Sequence, residues 1–308
     1  MAPALTHEPV LLEESVSALQ IQLGGRYVDC TVNGGGHAEA ILKECTPGGQ
    51  LLGIDADPGA IRVAGERLRP YGDDVVLVNE NFRYLESICS RYGFRPVNGI
   101  IFDLGLSSLQ LEDSGRGFSF QHDSPLDMRF SPGQTLTAAD IVNTFPEPEL
   151  AQILYKYGEE WRGRQIASRI VKNRPVRTTL ELARLVEGVV GRTRGKIHPA
   201  TKTFQSLRIA VNQELESLEL ALEHALNLLG SGGRLVVISF HSLEDRLIKN
   251  FFRREAQGCL CPPEVLSCAC GHTPSLNVVT RKVVRPSPLE LQANPRSRSA
   301  RMRVGERI

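Results

Sequence analysis

Three glycines, several aspartates and a scatter of hydroxyl and imidazole groups are the residues whose types and spacing could do chemistry in this chain. Gly34, Gly35 and Gly36 follow the strand-like run Tyr27-Val28-Asp29-Cys30 and precede a helical pattern that opens near His37. Glycine lets the main chain approach a ligand closely, and the first N–H groups of a helix favour an anion. Asp55 stands nineteen residues after Gly36, at the end of a second apolar run. An acid there can accept hydrogen bonds from a ribose with both hydroxyls free. The plainer reading is an acid that caps the next helix. His37 has the same choice, between a cofactor contact and a solvent-facing place at the helix start. The glycines make no GxGxxG, because position 39 is Glu39. The turn and the spaced acid together suit a nucleoside cofactor without choosing its kind.

Further candidates fall at the ends of later apolar runs. The Phe82 ring suits the flank of an adenine, or equally a core place under its helix. Asp103 closes a fourth run and leads into Leu104-Gly105-Leu106-Ser107-Ser108-Leu109-Gln110. The spacing Asp29-x4-Gly34-Gly35-Gly36 resembles the first motif of methyltransferases that use S-adenosylmethionine (SAM). In those acting on amines, the end of the fourth strand fixes the acceptor nitrogen. Transfer to an exocyclic amine is an in-line displacement on a sulfonium methyl. The protein must align the two groups and accept hydrogen bonds from the NH2, so that the nitrogen lone pair stays available. Placement supplies much of the rate, because the donor is already activated. Asp103 is the candidate acceptor, against the plainer reading of a strand-end cap. Ser107, Ser108, Ser239 and His241 are weaker candidates for orienting the base or relaying its proton. For the last two the bland alternative is strong, since Ser242 and Asp245 already look like a helix cap.

These positions need a sheet whose strand ends converge. Residues 7–20 form an amphipathic pattern that could lie across a cleft. Runs at 27–30, 51–55, 75–78 and 97–103 alternate with helical patterns, which gives a parallel sheet covered on both faces. Residues 104–136, rich in Gly, Ser, Asp and Pro, are too long for a mere connector. From 137 to about 210 the patterns are helical, with breaks at Pro146, Pro175 and Pro199. A helix over 211–229, a glycine cap over 230–233 and a fifth strand over 234–240 resume the alternation. A further helix and two strands, at 277–284 and 300–304, end it. That terminal hairpin is foreign to the symmetric dinucleotide fold and proper to a methyltransferase sheet. The fold expected is α/β: a Rossmann-like class I SAM methyltransferase sheet with a C-terminal antiparallel hairpin and an inserted all-helical substrate domain. Residues 1–112 and 209–308 make the two parts of the methyltransferase domain, the latter with a basic tail, and 113–208 the insertion.

The composition is that of a soluble globular protein: 308 residues, 41% hydrophobic and 23% charged. No apolar run approaches the roughly 20 residues that span a bilayer. The first residues lack the pattern of a signal peptide, so a cytoplasmic location is expected. The net charge of +1 hides a segregation. Residues 161–210 hold twelve Lys/Arg against two Asp/Glu, and residues 281–308 hold eight against two. Two separate basic regions favour a phosphate-backbone partner over a merely solvated face. Cys259, Cys261, Cys268 and Cys270 form two CxC pairs, with His272 nearby. Four thiolates can hold zinc, but this spacing is a weaker signal than CxxC. The expected state is reduced loop cysteines, with no metal at the functional site.

Several long stretches together resemble the RsmH (MraW) family of bacterial ribosomal RNA methyltransferases. They are HEPVLLEE, TVNGGGH, DLGLSSLQLED, RGFSF, SPLDMR, YGEE, HPATKTFQSLRIAVNQEL, GGRLVVISFHSLEDR and NPRSRSARMR. The resemblance spans nearly the whole chain. It implies a SAM-dependent enzyme that methylates N4 of a cytidine in the decoding region of 16S rRNA, within the small ribosomal subunit; a homodimer is a separate candidate assembly, which the residues do not decide. It also implies cofactor contacts from Gly35, Gly36, His37, Asp55, Phe82, Asp103 and Gln110. Relatives carry TxGxGGH where this chain has TVNGGGH, so Asn33 and Gly34 depart from the pattern, and Gly34 is left out of that set. On this reading the basic insertion and Arg296, Arg298, Arg301 and Arg303 hold the RNA. The rival readings are a nicotinamide-dependent dehydrogenase and a non-enzymatic RNA-binding factor on an old cofactor fold.

Overall fold

The computed structural model describes residues 9–107, 110–111, 115–191, 198–262, 264 and 267–308. The chain forms two compact units, Met1–Gly105 with Leu215–Ile308, and Leu106–Glu214. Among the described residues no helix is long and apolar enough to cross a membrane.

The first unit is built on seven strands: β1 (Arg26–Asp29), β2 (Gln50–Asp55), β3 (Val75–Asn79), β4 (Val97–Asp103), β5 (Leu229–Ser239), β6 (Leu276–Val278) and β7 (Arg301–Arg307). Their order is β3-β2-β1-β4-β5-β7-β6. The first five pair in parallel, and β7 runs antiparallel to both β5 and β6. Side chains alternate across a strand, so an uninterrupted apolar run can serve two cores. Leu52, Ile54, Ile100, Phe102, Leu235 and Val237 enter one core, together with Leu218 and Leu222. Their neighbours Leu51, Ile101, Val236 and Ile238 enter the other, with Ile41 and Leu42. The chain leaves β1 toward β2 on one side and returns to β4 on the other. Such a reversal of strand order opens a crevice at the carboxyl ends.

Helix α1 (Leu12–Leu19) precedes β1, and α2 (Gly36–Cys45), α3 (Pro58–Leu68) and α4 (Leu85–Tyr92) lie between the early strands. The second unit holds α5 (Ala138–Thr144), α6 (Glu147–Gly158), α7 (Gly163–Lys172), α8 (Thr179–Val190) and α9 (Thr201–Asn212). Thr137 with Asp140 and Thr178 with Glu181 form capping boxes that start α5 and α8. The helix expected over 211–229 is divided. Gln213 turns left-handed at φ 49° and separates α9 from α10 (Glu214–Leu228). The glycine-rich 230–233 lies within β5, as a bulge where the register shifts from Val97 opposite Leu229 to Gly99 opposite Arg234. The C-terminal part adds α11 (Ser242–Glu255) and α12 (Pro288–Ala293).

Part of the long loop belongs to the second unit's own core, which includes Phe118, Leu126 and Met128. Met128 takes φ 62°, an uncommon conformation for a residue other than glycine. Buried Asn212 holds that turn. Its Nδ2 donates to the Met128 carbonyl at 2.7 Å and to the Arg208 carbonyl at 2.9 Å, and its Oδ1 accepts from Phe130 N at 2.8 Å. Asn212→Ala strands these groups, so a loss of about 2–3 kcal/mol is expected. Urea unfolding checks this, and a loss near zero would show that the turn holds without Asn212.

Candidate active site

The carboxyl ends of β1, β2 and β4 carry most of the chemistry anticipated in the first unit. After β1 the chain turns through Asn33, at φ 47°, and Gly35, at φ 77°, before α2 begins at Gly36. A side chain at Gly36 would meet Pro9, with Cβ 2.1 Å from its Cγ. Gly35 is therefore demanded by backbone angle and Gly36 by close approach. Gly34 needs neither, since the nearest atom to a Cβ there is Val63 Cγ1 at 4.0 Å.

His37 is buried against the same N-terminal segment. Its Nε2 lies 3.1 Å from the Val10 carbonyl, which can only accept, so Nε2 carries the proton. Nδ1 then faces Asp103 Oδ2 at 3.7 Å, an electrostatic contact longer than a hydrogen bond. Asp103 ends β4, and its backbone N–H donates to Thr31 Oγ1 at 2.6 Å. Its Oδ1 is buried with no hydrogen-bond partner among the described residues. Burial, then the charges of Asp29 and Glu244, hold its carboxyl well above the usual range.

Asp29 is a second buried acid at this edge. Sequence patterns mark it as the end of a strand and the first position of the Asp29-x4-Gly34-Gly35-Gly36 spacing, and give it no role of its own. Its Oδ1 accepts from Thr31 N at 3.1 Å, and its Oδ2 has no hydrogen-bond partner among the described residues. Burial raises its pKa to about 7; the Thr31 N–H opposes this and the Asp55 charge adds to it. Between pH ~4 and 7 the folded chain thus keeps a proton that an unfolded Asp29 has released. Stability from this residue is therefore present at low pH and lost as pH rises through that window. The loss should be on the order of 4 kcal/mol for the ligand-free protein. Asp29→Asn should flatten the slope in urea unfolding between pH 4.5 and 7.5. An unchanged slope would assign it to other groups.

Asp55 differs because its carboxylate is well supplied with donors. Oδ2 accepts from Asn33 N and Oδ1 from Asp57 N, both at 2.9 Å. It therefore ties the glycine turn to the start of α3, where Asp57 caps Gly59 N. Phe82 is half-buried and meets Phe102 edge-on, with centroids 5.6 Å apart.

Ser239 ends β5 at the same sheet edge, one residue past Ile238, the partner of Asp103. Buried Ser239 donates its hydroxyl to the Arg301 carbonyl at 3.3 Å. His241, not Ser242, caps α11. Its Nδ1 accepts from Glu244 N, while Glu244 Oε2 accepts from Phe240 N and His241 N. His241 Nε2 also lies 3.1 Å from Glu244 Oε1, within ion-pair range but poorly directed for a hydrogen bond. Ser107 and Gln110 belong to the second unit and cap each other, at 3.0 and 3.2 Å. Ser108 lies outside the described residues. Arg301 and Arg303 both pair with Asp245, at 3.2 and 2.7 Å, while Arg296 and Arg298 are exposed.

Comparison with known proteins matches residues 4–308 to the family described as the MraW methylase family. A ribosomal RNA small subunit methyltransferase H of Dehalococcoides mccartyi is 59% identical over 302 residues, which is 98% of this chain and 86% of that protein. The protein of the same name from Thermomicrobium roseum is 55% identical over 306 residues, covering 98% of this chain and 94% of the relative. That of Carboxydothermus hydrogenoformans is 48% identical over 307 residues, covering 98% of each.

Proposed function

The chain belongs to the MraW methylase family, and from that premise we propose that it transfers a methyl group from SAM to the N4 amine of a cytidine in the decoding region of 16S rRNA. The observation that carries the site assignment is the pair of buried acids, Asp29 and Asp103, each with one carboxyl oxygen lacking a partner among the described residues. SAM brings a sulfonium and an ammonium, both positive. Buried carboxyls that lack a counter-charge fit such a ligand. The pyrophosphate of a dinucleotide would be repelled there, which disfavours the dehydrogenase reading.

Bound SAM supplies an activated methyl, so the protein's work is placement. Asp55 accepts from the ribose hydroxyls. The N–H groups at the start of α2, opened by Gly35 and Gly36, suit the carboxylate of the methionine moiety. Phe82 flanks the adenine side, and Gln110 adds a polar contact. Asp103 accepts from the N4 amine and helps remove the proton released on transfer. His37 Nδ1, 3.7 Å from Asp103 Oδ2, stands as a further acceptor for that proton. Ser107, Ser108, Ser239 and His241 contribute to orienting the base or to the proton's path.

The helical unit is proposed as the RNA-binding part. Trp161 is 73% exposed and Tyr155 69%, in a region rich in cations. The Arg162 guanidinium lies 4.6 Å from the Trp161 ring centre. Exposed rings among cations suit bases splayed from single-stranded RNA. Trp161→Ala should weaken RNA binding about tenfold with little change in melting temperature. Filter binding checks this, and unaltered affinity would remove Trp161 from the interface.

The proposed substrate is the assembled small subunit in the cytoplasm, and a homodimer is the assembly to look for by sedimentation. The decisive experiment gives unmethylated small subunits, and free 16S rRNA in parallel, to the protein with labelled SAM. N4-methylcytidine by nucleoside mass spectrometry is the expected product. RNA association without methyl transfer would favour the binding-factor reading.

A further inference from the structure

The connection from α11 to β6 comprises residues 256–275. Among its described residues there is no helix or strand, and none is buried. Leu260, the one large aliphatic side chain among them, is 41% exposed. Loops this long without structure are uncommon in compact domains. Its far end is nevertheless pinned to α11. Ser275 donates from its backbone N to the Glu255 carbonyl at 2.9 Å and from Oγ to Glu255 Oε2 at 2.7 Å. His272 Nε2 lies 3.1 Å from the Arg254 carbonyl.

Within this loop the two CxC pairs converge. The sulfurs of Cys259, Cys261, Cys268 and Cys270 all lie within 4.8 Å of one another. Cys259 is 3.4 Å from Cys268 and 3.8 Å from Cys270, and Cys268 is 3.6 Å from Cys270. These separations are far longer than the S–S bond of about 2.05 Å. They match a tetrahedron: four sulfurs each about 2.3 Å from one zinc ion stand roughly 3.8 Å apart.

The backbone supplies a second, independent sign. Leu260 N donates to Cys270 Sγ at 3.3 Å, Cys261 N to Cys259 Sγ at 3.4 Å, and Ala269 N to Cys261 Sγ at 3.4 Å. N–H groups aimed at sulfur stabilise the thiolate, the form that ligates a metal. His272 is engaged with the Arg254 carbonyl, so the ligand set is four cysteines. Four thiolates are soft donors that fill a tetrahedral ion and leave no position open, which is the pattern of a structural site.

We infer that Cys259, Cys261, Cys268 and Cys270 bind one Zn2+ in a closed tetrathiolate site that organises the α11–β6 connection. The site is separate from the buried carboxyls at the strand ends, and its role is to fold the loop. Each cysteine ligates as a thiolate, so binding releases a proton from every one that is still protonated.

The test uses the full chain, purified under reducing conditions without chelator. Elemental mass spectrometry should find about one zinc per chain. The four thiols should become titratable only when a mercurial or chelator releases the ion. Replacement with Co2+ should give the visible ligand-field bands and sulfur charge-transfer absorption of a tetrahedral thiolate complex. Cys259→Ser and Cys270→Ser should each abolish stoichiometric zinc, and Cys89→Ser should keep it. The cobalt spectrum is read on the unaltered chain, so the inference stays testable if a variant folds poorly. A metal-free protein that gives no tetrahedral cobalt spectrum would overturn it. So would a mass lowered by the hydrogens of two disulfides, or iron–sulfur absorption in place of zinc.

Discussion

Asp103→Asn is expected to lower kcat for methyl transfer by about 10²–10³-fold while the affinity for SAM changes by less than about tenfold. Asparagine keeps the shape of the side chain and leaves the backbone bond from Asp103 N to Thr31 Oγ1 in place. What it removes is the anionic acceptor. In the ligand-free protein the Asp103 carboxyl is pushed toward its neutral form by burial and by the nearby Asp29 and Glu244 charges. A cationic cofactor reverses that push, and the ionised carboxylate can then accept from the amine. The variant buries no ionisable group at this position, so it should be at least as stable as the parent between pH 6 and 8. Single-turnover rates with isothermal titration of SAM separate the two roles. Full turnover at undiminished affinity would remove Asp103 from both. A collapse of SAM affinity with normal single-turnover chemistry would make it a cofactor ligand only.

The second large effect is expected at Asp55. Asp55→Ala should reduce SAM affinity by at least about 10²-fold and destabilise the fold by about 2–4 kcal/mol. Both carboxylate oxygens receive backbone N–H groups, from Asn33 and Asp57 at 2.9 Å. Alanine strands both donors and relaxes a turn in which Asn33 is held left-handed at φ 47°. The ribose partner is lost in the same change. Asp55→Asn retains one acceptor oxygen and should fall between the two proteins in both stability and affinity. Calorimetry and urea unfolding on the pair read the effects separately. If Asp55→Ala lost stability but bound SAM normally, the residue would be a turn anchor only.

The sheet was legible because its central strands are covered on both faces and read as continuous apolar runs. Proline breaks also mark the helices of the second unit. The divided helix was hidden, because its apolar period continues through Gln213 and only the backbone angle interrupts it. The glycine-rich stretch 230–233 reads as a helix cap, and becomes a bulge because β4 lies opposite it. The glycine turn and Asp55 are local in sequence and could be found there. Asp29 was not, since its raised pKa comes from burial beneath the assembled fold. Charge counting likewise could not show that Arg301 and Arg303 are partly neutralised by Asp245. That pairing requires β7 to lie beside β5 and α11 to pack nearby. The four cysteines gave a weak spacing signal, because CxC pairs become a tetrahedron only when a loop folds back on itself.

The two units differ in how they can form during synthesis. The helical unit is continuous in sequence, Leu106–Glu214, and all its contacts are available before the last third of the chain has been made. The sheet is not. Pairing β4 with β5 must wait for the whole helical unit, and β7, the last strand, sits inside the sheet between β5 and β6. Closing such long intervals is slow, and it leaves β5 with an uncovered edge until β7 arrives. The nascent protein therefore carries a folded helical body ahead of an unfinished sheet, and the edge at Asp103 is completed only once β5 has been made.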